Sequence, residues 1–279
     1  MQVTVSVVMP NFNNSEYIGE AINSVLNQSF KDFELIVVDD GSTDNSLQVI
    51  RKYGSRIRFI SQSNSGVAVA RNTGILESRG KIIALLDSDD VWHSEKLQKQ
   101  LAQMSNSGLD LVYSGGFELE NGVRNSKEFK PKYAGQVYEF YKKHPTEAVI
   151  LLGGSSAIFK KSILSKVGLF NPTVPPPTED WDFFRRVGLF GFEVGFCSEA
   201  LVGYRIHTRN ASRGSLDSYF SGNKASLLEM FVQDSSISFF ERRRIWMKFL
   251  LLFIKSNVKT RKFINVPKDL IQFVKPLLP

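Results

Sequence analysis

The feature that most constrains the fold is an alternation of two hydrophobic periods over the first part of the chain. Continuous apolar runs at residues 3–9, 33–38, 57–61 and 82–86 are typical of buried strands. Between these runs the apolar residues recur at helical spacing, over 17–26, after Asp44, and over 66–76. Strands that alternate with helices form parallel sheets through right-handed crossovers. We therefore predict an α/β fold with a mostly parallel central sheet flanked by helices.

Beyond residue 105 the pattern is less regular. Residues 150–160 predict a strand interrupted by two glycines, and 161–167 predict a short helix. A proline-rich loop at 172–177 leads into a helix, and strands are predicted at 192–197 and 201–206. From about residue 215 the pattern is helical to the end of the sequence. The predicted organisation is a domain over 1–214, divided near residue 105, followed by a helical extension over 215–279.

Composition excludes several classes of protein. Hydrophobic residues make up 42% and charged residues 23% of the 279 residues, which is typical of a folded chain. The single cysteine, Cys197, excludes an internal disulfide, and no zinc-binding cluster is evident. No leader pattern opens the sequence, and no apolar run reaches the ~18 residues that a membrane-spanning helix needs. We therefore expect a cytoplasmic location.

The formal net charge of +7 indicates an anionic partner, which could be a nucleotide, a nucleic acid or a lipid surface. Aromatic residues are not interleaved with a basic stripe, so we expect no nucleic acid. Residues 238–275 combine apolar and basic residues at helical spacing, a pattern that suits a helix lying on the inner face of the cell membrane. The alternative is that this apolar face packs against the domain or against a second subunit. The oligomeric state stays open.

Acidic residues collect where predicted strands end, which is the edge at which parallel sheets bind ligands. Asp87 and Asp89 follow the 82–86 strand, and two carboxylates at that spacing repel each other unless a cation intervenes. Mg²⁺ or Mn²⁺ would remove the conflict and would also bind phosphates. The alternative is that these residues only favour the start of the next helix. The spacing alone leaves both interpretations open.

Other polar residues allow a functional and a structural interpretation. Asp39 ends a predicted strand and can accept a ligand N–H, although the Asp-Gly sequence that follows is also a turn signal. Arg71 lies in a segment of small residues and either faces solvent or binds phosphate or a base. In the pair Glu179 and Asp180, one carboxylate can cap a helix while the other acts as a general base. His207 ends a strand and is either a ligand or a plain polar residue.

Together, six strings of this sequence resemble the family-two glycosyltransferases of the GT-A fold, which are mostly inverting enzymes. In chain order they are SVVMPNFN (6–13), VDDGSTD (38–44), GVAVARNTG (66–74), LDSDD (86–90), TEDWDFFRR (178–186) and YRIH (204–207). The resemblance spans about the first 210 residues. It identifies 1–105 as a nucleotide-binding half and 106–214 as an acceptor and catalytic half.

The resemblance also implies roles for individual residues. The donor site would use Phe12 against the nucleobase, Asp39 as acceptor for the base N–H, and Arg71 on the base or phosphates. Its remaining members would be Pro10, Asp87 near the ribose, and Ser88. The metal, Mn²⁺ or Mg²⁺, would be held by Asp89 with help from Asp87 and His207, the last being a further ligand or a pyrophosphate contact. The catalytic base would be Asp180, with Glu179 as the second candidate.

The expected reaction is sugar transfer from a pyrimidine nucleotide donor such as a UDP-sugar to a hydroxyl of a glycan or lipid-linked acceptor. Inversion at the anomeric carbon and a role in cell-surface polysaccharide assembly are implied with it. One alternative is a sugar-phosphate nucleotidyltransferase, but that class needs a glycine-rich loop after the first strand, and no glycine precedes Gly19. The other is a degenerate protein that binds a nucleotide sugar or a partner without turnover, against which the intact acidic residues argue.

Overall fold

A nine-stranded sheet forms the centre of the chain. The computed structural model describes residues 3–144, 149, 150, 152–210 and 237–259. In its first half, strands and helices alternate as β1 (Val5–Asn11), α1 (Ile18–Leu26), β2 (Phe33–Asp39), α2 (Ser46–Arg51), β3 (Arg58–Ser61), α3 (Val67–Leu76) and β4 (Ile82–Leu85). All four of these strands are parallel, with β1 between β2 and β4.

The second half is built from shorter and more varied elements. They are β5 (Val91–Trp92), α4 (Lys96–Ser107), β6 (Leu111–Glu120), β7 (Val123–Phe129), α5 (Tyr138–Lys143), α6 (Gly153–Ser156), β8 (Ile158–Lys160), α7 (Leu164–Val167), α8 (Glu179–Leu189), β9 (Val194–Ile206) and α9 (Phe239–Lys259). The strand order across the sheet is β3-β2-β1-β4-β8-β6-β9-β5, and β7 pairs with β6.

The α/β fold with a central sheet flanked by helices is confirmed, but the sheet is parallel only in part. Strand β8 runs antiparallel to both β4 and β6, while β9 returns parallel to β6. The apolar runs of the first half identify buried strands, yet they carry no information on the direction in which later strands enter the sheet. The parallel arrangement therefore holds for the first half, and the complete sheet is mixed.

Three local features of the second half differ from the sequence pattern. Gly153 and Gly154 begin one helical turn, so that the predicted 150–160 strand is reduced to Ile158–Lys160. The two strands predicted after residue 191 are one strand, because register shifts opposite Gly115 let β9 continue along β6. The β6–β7 hairpin was not predicted, because the sequence of β7 is mostly polar and does not alternate between apolar and polar residues. None of its residues is buried.

The apolar face of α1 shows why the pattern works in the first half. Ile18, Ala21, Ile22 and Val25 are buried in the same cluster as the β1 side chains Val5 and Val7. The helix begins after Tyr17 without a side-chain cap, one turn later than Asn14 or Ser15 would cap it. Tertiary burial thus fixes the helix more than its capping residue does.

Helix α9 is the described part of the C-terminal extension. Ile245, Trp246, Phe249 and Leu250 are buried, so this apolar face packs against protein. No helix in the described parts of the chain is both long and apolar enough to cross a membrane. The side chains of 252–259, the segments 211–236 and 260–279, and with them the predicted boundary at 214, lie outside the description.

Candidate active site

One cleft of about 1140 Å³ opens at the carboxyl ends of β1 and β4 and extends to the start of α8 and the end of β9. Most residues of the predicted site line it: Pro10, Phe12, Arg71, Asp87, Ser88, Asp89, Glu179, Asp180 and His207. Phe12 is 47% exposed and presents its ring at the cleft. Asp39 is the exception among the predicted residues, because it is fully buried and does not line the cleft.

The carboxylate of Asp39 is bonded by the protein itself. Its Oδ1 accepts hydrogen bonds from Asn11 Nδ2 (2.7 Å) and from the Ser42 hydroxyl (2.6 Å), and its Oδ2 accepts from the Ser42 N–H (3.0 Å). A carboxylate has about four acceptor positions, so one position on Oδ2 remains for a ligand. Asp39 therefore ties β1 to the loop after β2, whatever it also contacts in a complex.

The neighbouring Asp40 organises the loop that leads into α3. Its carboxylate accepts hydrogen bonds from Gln62 Nε2 (2.7 Å) and from the backbone N–H groups of Ser65 (2.9 Å) and Gly66 (2.8 Å). Gly66 has a φ of 92°, a conformation that glycine adopts without steric cost. Asp40 thus holds the loop before α3 and fixes one wall of the cleft.

Arg71 bridges the two halves of the domain. Its two terminal nitrogens bond Asp87 Oδ1 (2.7 Å) and Glu179 Oε1 (2.6 Å), and its guanidinium lies 5.4 Å from the centre of the Phe170 ring. Arg71 is only 2% exposed. Burial alone would lower the pKa of its guanidinium, but the attraction of Asp87 and Glu179 outweighs burial and raises it. Arg71 is therefore a permanent buried cation between two carboxylates.

The acidic segment after β4 divides its side chains among different partners. Asp87 Oδ1 accepts a hydrogen bond from Arg71, and Asp87 Oδ2 is the oxygen that could contact a ligand. The Ser88 hydroxyl accepts a hydrogen bond from Asn14 Nδ2 (2.9 Å). Asp89 Oδ2 lies 2.9 Å from His207 Nε2. The structure thus brings Asp89 and His207 together, while Asp87 faces Arg71.

The ring of His207 is held in one orientation. Its Nδ1 accepts the N–H of Arg209 (3.2 Å), so the neutral ring carries its proton on Nε2 and donates it to Asp89. The ring also contacts Tyr17 at a centroid distance of 4.9 Å. Ligation of a cation through Nε2 would require the ring proton to move to Nδ1, at the cost of the contact with Arg209. His207 can act as a donor to an anion without any such change.

These residues fit a divalent cation in part. A carboxylate oxygen and an imidazole nitrogen are ligands that Mn²⁺ accepts, and phosphate oxygens with water usually complete such a site. Within the described residues, no three acidic, histidine or cysteine side chains form a cluster able to hold a metal by themselves. These residues would therefore suit a cation that binds together with a diphosphate. Asp89 would be its main protein ligand.

Asp90 and Arg205 support the acidic segment from behind. The Asp90 carboxylate accepts the N–H of Arg205 (3.0 Å), and Arg205 Nε donates to the backbone oxygen of Asp89 (2.7 Å). Burial raises the pKa of Asp90 well above its usual value, and the charges of Asp89 and Asp87 add to the effect. The end of β9 therefore fixes the backbone of Asp89 and, two residues later, supplies His207.

The acid pair at the start of α8 forms the other end of the cleft. Asp180 Oδ1 accepts the N–H of Trp181 (2.7 Å), while Glu179 Oε1 is paired with Arg71. Burial is the main cause that raises the pKa of Asp180 to about 8, and the negative charge of Glu179 adds to it. A carboxyl group with that pKa can take a proton near neutral pH. Asp180 is thus suited to a general base, whereas Glu179 is committed to a cation.

The backbone at Gly153 makes room for Asp180. A Cβ atom built on Gly153 would lie 2.1 Å from Asp180 Oδ2, and the φ of this glycine is 52°. Both the positive φ and the close approach require glycine here. The first of the two glycines that interrupt the predicted strand therefore leaves the space that the Asp180 carboxylate occupies.

Aromatic and charged side chains line the part of the cleft beyond Asp180. Trp181, Tyr204 and Phe129 line it, and the last two rings meet edge to face at 6.1 Å. Lys127, on β7, is paired with Glu118 of β6, and both line the same wall. Sequence reasoning missed Phe129, Lys127 and Glu118, because the hairpin that carries them has no strong hydrophobic period.

Comparison with known proteins identifies the family. Residues 6–168 match the model of glycosyl transferase family 2, which is more than half of the chain. An uncharacterised glycosyltransferase of Methanocaldococcus jannaschii is 33% identical over 216 residues, 74% of this chain and 72% of the relative. The protein therefore belongs to glycosyl transferase family 2, and it is a glycosyltransferase. The chain spans from 18% to 72% of the length of such relatives.

A second relative has a named activity. The UDP-Glc:α-D-GlcNAc-diphosphoundecaprenol β-1,3-glucosyltransferase WfgD of Escherichia coli is 39% identical over 119 residues, 42% of this chain and 47% of that protein. The similarity covers less than half of either chain. It supports glycan biosynthesis as the general role of this protein and leaves donor and acceptor to be proposed.

Solved structures share the GT-A fold. Residues 1–349 of S. aureus TarS, in complex with UDP-GlcNAc, match 98% of this chain and 79% of that one, with a TM-score of 0.74 and 21% identity. The mannosyltransferase PcManGT of Pyrobaculum calidifontis, in complex with GDP-Man and Mn²⁺, matches 99% of this chain and 85% of its own, with a TM-score of 0.59 and 14% identity. At such identities the likeness establishes the fold alone.

Proposed function

We propose that this glycosyltransferase moves a sugar from a pyrimidine nucleoside diphosphate donor, such as a UDP-sugar, to a hydroxyl of a glycan or lipid-linked acceptor, with inversion. The observation that carries the proposal is one cleft that holds Phe12, the Asp89–His207 pair and Asp180 together. The first two suit a nucleotide diphosphate, and the third suits proton removal from an acceptor. Family membership favours transfer over the nucleotidyltransferase and over binding without turnover.

The donor would occupy the part of the cleft formed by the first half of the domain. The exposed ring of Phe12 offers a stacking surface for a base, and the remaining acceptor position of Asp39 would read a ring N–H after a small movement of the loop. Pro10 and Ser88 line the same part of the cleft, and Ser88 is held there by Asn14. Arg71 is already paired with two carboxylates, so we assign it no direct donor contact.

Mn²⁺ or Mg²⁺ would be held by Asp89, with Asp87 as a further contact, and would offset charge on the departing diphosphate. Asp89 would orient that end of the donor, because Arg205 fixes its backbone. His207 would donate its Nε2 proton to a phosphate oxygen when Asp89 turns to the cation. The structure of the mannosyltransferase PcManGT, which contains Mn²⁺, supports this choice of cofactor.

Asp180 would complete the reaction on the acceptor side. In its ionised form it would take the proton of the attacking hydroxyl, while Glu179 stays paired with Arg71. Attack from the face opposite the departing diphosphate inverts the anomeric carbon. Trp181 and Tyr204 would bind the acceptor sugar through their rings, and the Lys127–Glu118 pair would meet its polar groups.

The donor assignment is tested by calorimetric titration of UDP with and without Mn²⁺. Asp89→Ala should lower the affinity for UDP at least tenfold with Mn²⁺ present and change it little without Mn²⁺. Glu199→Ala is the matched control, because it also removes one negative charge but lies at an exposed ion pair with Lys99. Equal affinities of wild type and Asp89→Ala with Mn²⁺ would contradict the metal assignment, and tighter binding of purine diphosphates would contradict the base.

The proposed acceptor class is supported by the relative in E. coli, whose name includes a diphosphoundecaprenol-linked sugar. A lipid-linked acceptor would place this enzyme at the inner face of the cell membrane, in the assembly of a cell-surface polysaccharide. Product formation with lipid-linked and free saccharides, over a panel of nucleotide sugars, tests this directly. Turnover only with free saccharides would remove the lipid from the proposal.

Contact with the membrane has separate support from α9. Its exposed stripe, defined here as Phe240, Arg243, Arg244, Met247, Lys248 and Leu251, recurs at i, i+3, i+4, i+7, i+8 and i+11. Phe240 is 79% exposed. The stripe lies on the helix beside the buried Trp246 and Phe249, so packing against protein and contact with lipid use different faces. Arginines beside large apolar side chains suit an anionic lipid interface.

Flotation with phosphatidylglycerol-containing and pure phosphatidylcholine vesicles tests the exposed stripe. Each basic residue near an anionic surface contributes about 1 kcal/mol, so Arg243→Glu with Arg244→Glu should reduce flotation strongly at low salt. Arg51→Glu with Lys52→Glu is the matched control on the exposed end of α2. Phe240→Ser is compared in the same way with Leu76→Ser, another exposed apolar residue. Equal flotation of all variants would contradict the membrane proposal.

A further inference from the structure

The buried bridge of Arg71 joins three elements that carry different parts of the site. Arg71 belongs to α3, Asp87 follows β4 at the donor end of the cleft, and Glu179 is the first residue of α8. The two bonds measure 2.7 Å to Asp87 and 2.6 Å to Glu179. The side chains of Arg71 and Glu179 are both almost fully buried, so water does not weaken their attraction as it does at the surface.

The surroundings leave this guanidinium little freedom. The Phe170 ring lies against it, and a Cβ atom built on Gly154 would come within 3.6 Å of its NH2 nitrogen. Glu179 Oε2 has no hydrogen-bond partner in the described parts of the chain, so Arg71 supplies the polar contact of that buried carboxylate. Both terminal nitrogens of Arg71 are bonded to carboxylates, and its Nε is buried without a partner among the described residues.

We propose that Arg71 is a positioning residue, which holds Glu179, and through the first turn of α8 the adjacent Asp180, at a fixed place relative to Asp87. Glu179 then serves as the anchor of the acid pair. The proposal rests on the proposed function in that it assumes Asp180 to accept the acceptor proton. It predicts that loss of Arg71 slows the chemical step. If Arg71 instead bound the donor directly, its loss would mainly weaken donor binding.

The experiment compares Arg71→Met and Arg71→Lys with Arg186→Met. Arg186 is a matched control, because it is also buried, pairs with Asp182 at 2.8 Å and lies 5.6 Å from the Phe183 ring, but does not line the cleft. We expect Arg71→Met to lower kcat about 10²-fold, since misplacing a catalytic group by about 1 Å has that effect. The UDP dissociation constant should stay within about threefold.

Arg71→Lys keeps the charge but cannot span both carboxylates in one fixed geometry, so kcat should recover only in part, by about tenfold over Arg71→Met. Arg186→Met should leave kcat within about threefold in the folded fraction. Two results would overturn the proposal: a rise of more than tenfold in the UDP dissociation constant with kcat unchanged, which would make Arg71 a donor ligand, or equal effects of Arg71→Met and Arg186→Met.

A measurement independent of turnover keeps the two proposals apart. A double-mutant cycle of unfolding equilibria uses Arg71→Met, Glu179→Gln and the double variant. Arg71→Met should destabilise the protein, because it leaves Glu179 charged and unpaired. The double variant should have a folded-to-unfolded ratio at least tenfold higher than that of Arg71→Met alone. If the two substitutions changed the free energy of unfolding additively, the proposed role of Arg71 would be contradicted, whether or not turnover is observed. Failure of the wild type to transfer sugar from any donor would instead overturn the proposed function while the cycle still decides the role of Arg71.

Discussion

Two acidic pairs, one at the end of β2 and one at the start of α8, are buried to similar degrees but have different surroundings. Asp39 and Asp40 together accept hydrogen bonds from six protein donors, all of them backbone or neutral side-chain groups. Among the described residues, Glu179 and Asp180 have one cation and one N–H between them. The carboxylates with many donors hold loops together, whereas Asp180 has a pKa raised by burial and by the charge of Glu179 and can take a proton.

The largest expected effect comes from Asp180→Asn, which keeps the shape of the side chain and removes its basicity. Turnover should fall by ~10²-fold or more, while the affinity for the nucleotide donor stays within a few-fold. Steady-state kinetics combined with calorimetry measure both quantities. Glu179→Gln is the comparison within the pair: if it abolished turnover and Asp180→Asn did not, the assignment of the base would be wrong.

Asp40→Ala tests the other side of the comparison. The change leaves Gln62 Nε2 and the N–H groups of Ser65 and Gly66 without their acceptor. We expect a loss of about 2 kcal/mol in the free energy of unfolding, since each lost hydrogen bond costs about 0.5–1.5 kcal/mol and the exposed Ser65 and Gly66 can bond water instead. Urea denaturation measures it, with Asp180→Asn as the control that should lose little stability. Equal losses of stability in Asp40→Ala and Asp180→Asn would contradict the different roles of the two acidic pairs.

The pKa of Asp180 predicts a pH dependence of the rate. Because only the ionised carboxyl accepts a proton, kcat/KM should rise almost tenfold per pH unit below pH 7 and level off above about pH 8. The residual activity of Asp180→Asn should lack this limb. A flat profile between pH 6 and pH 8 in the wild type would contradict the assignment.

The same group also affects stability, with the opposite sign. The pKa of Asp180 is raised from 3.8 to about 8, so the native state retains a proton that the unfolded chain has lost. Its contribution is fully present below about pH 4 and is lost as the pH rises towards 8. Asp180→Asn should therefore be less sensitive to pH than the wild type over this window, as measured by denaturation at pH 5 and pH 8.

A smaller effect is expected from Gly153→Ala. The new methyl would collide with Asp180 Oδ2 and the backbone would keep a φ of 52°, so we expect kcat to fall roughly tenfold together with a modest loss of stability. Gly191→Ala is the matched control, with a φ of 71° and open space around the added atom. It should cost only about 1 kcal/mol of stability and no activity. Equal kinetics of the two variants would contradict a role for Gly153 at Asp180.

The first half of the fold and the residues of the site could be predicted from the amino-acid sequence. Buried parallel strands need unbroken apolar runs, and helices that cover them need one apolar face, so β1 to β4 and α1 to α3 follow from the pattern. The rule that ligands bind at the carboxyl ends of parallel strands predicted the edge where Phe12, Asp87 and Asp89 line the cleft. These features are local or depend on periodicity, which a single sequence displays.

The pairing of polar residues across the site depends on the complete fold and could not be predicted. Arg71 and Glu179 are 108 positions apart and Asp89 and His207 are 118 apart, and no local pattern encodes such pairings. The direction of β8 and the hairpin that carries Phe129 likewise depend on how the second half enters the sheet. Charge and hydrogen-bonding capacity are written in the sequence, but burial decides how strongly they act, and burial is a property of the whole fold.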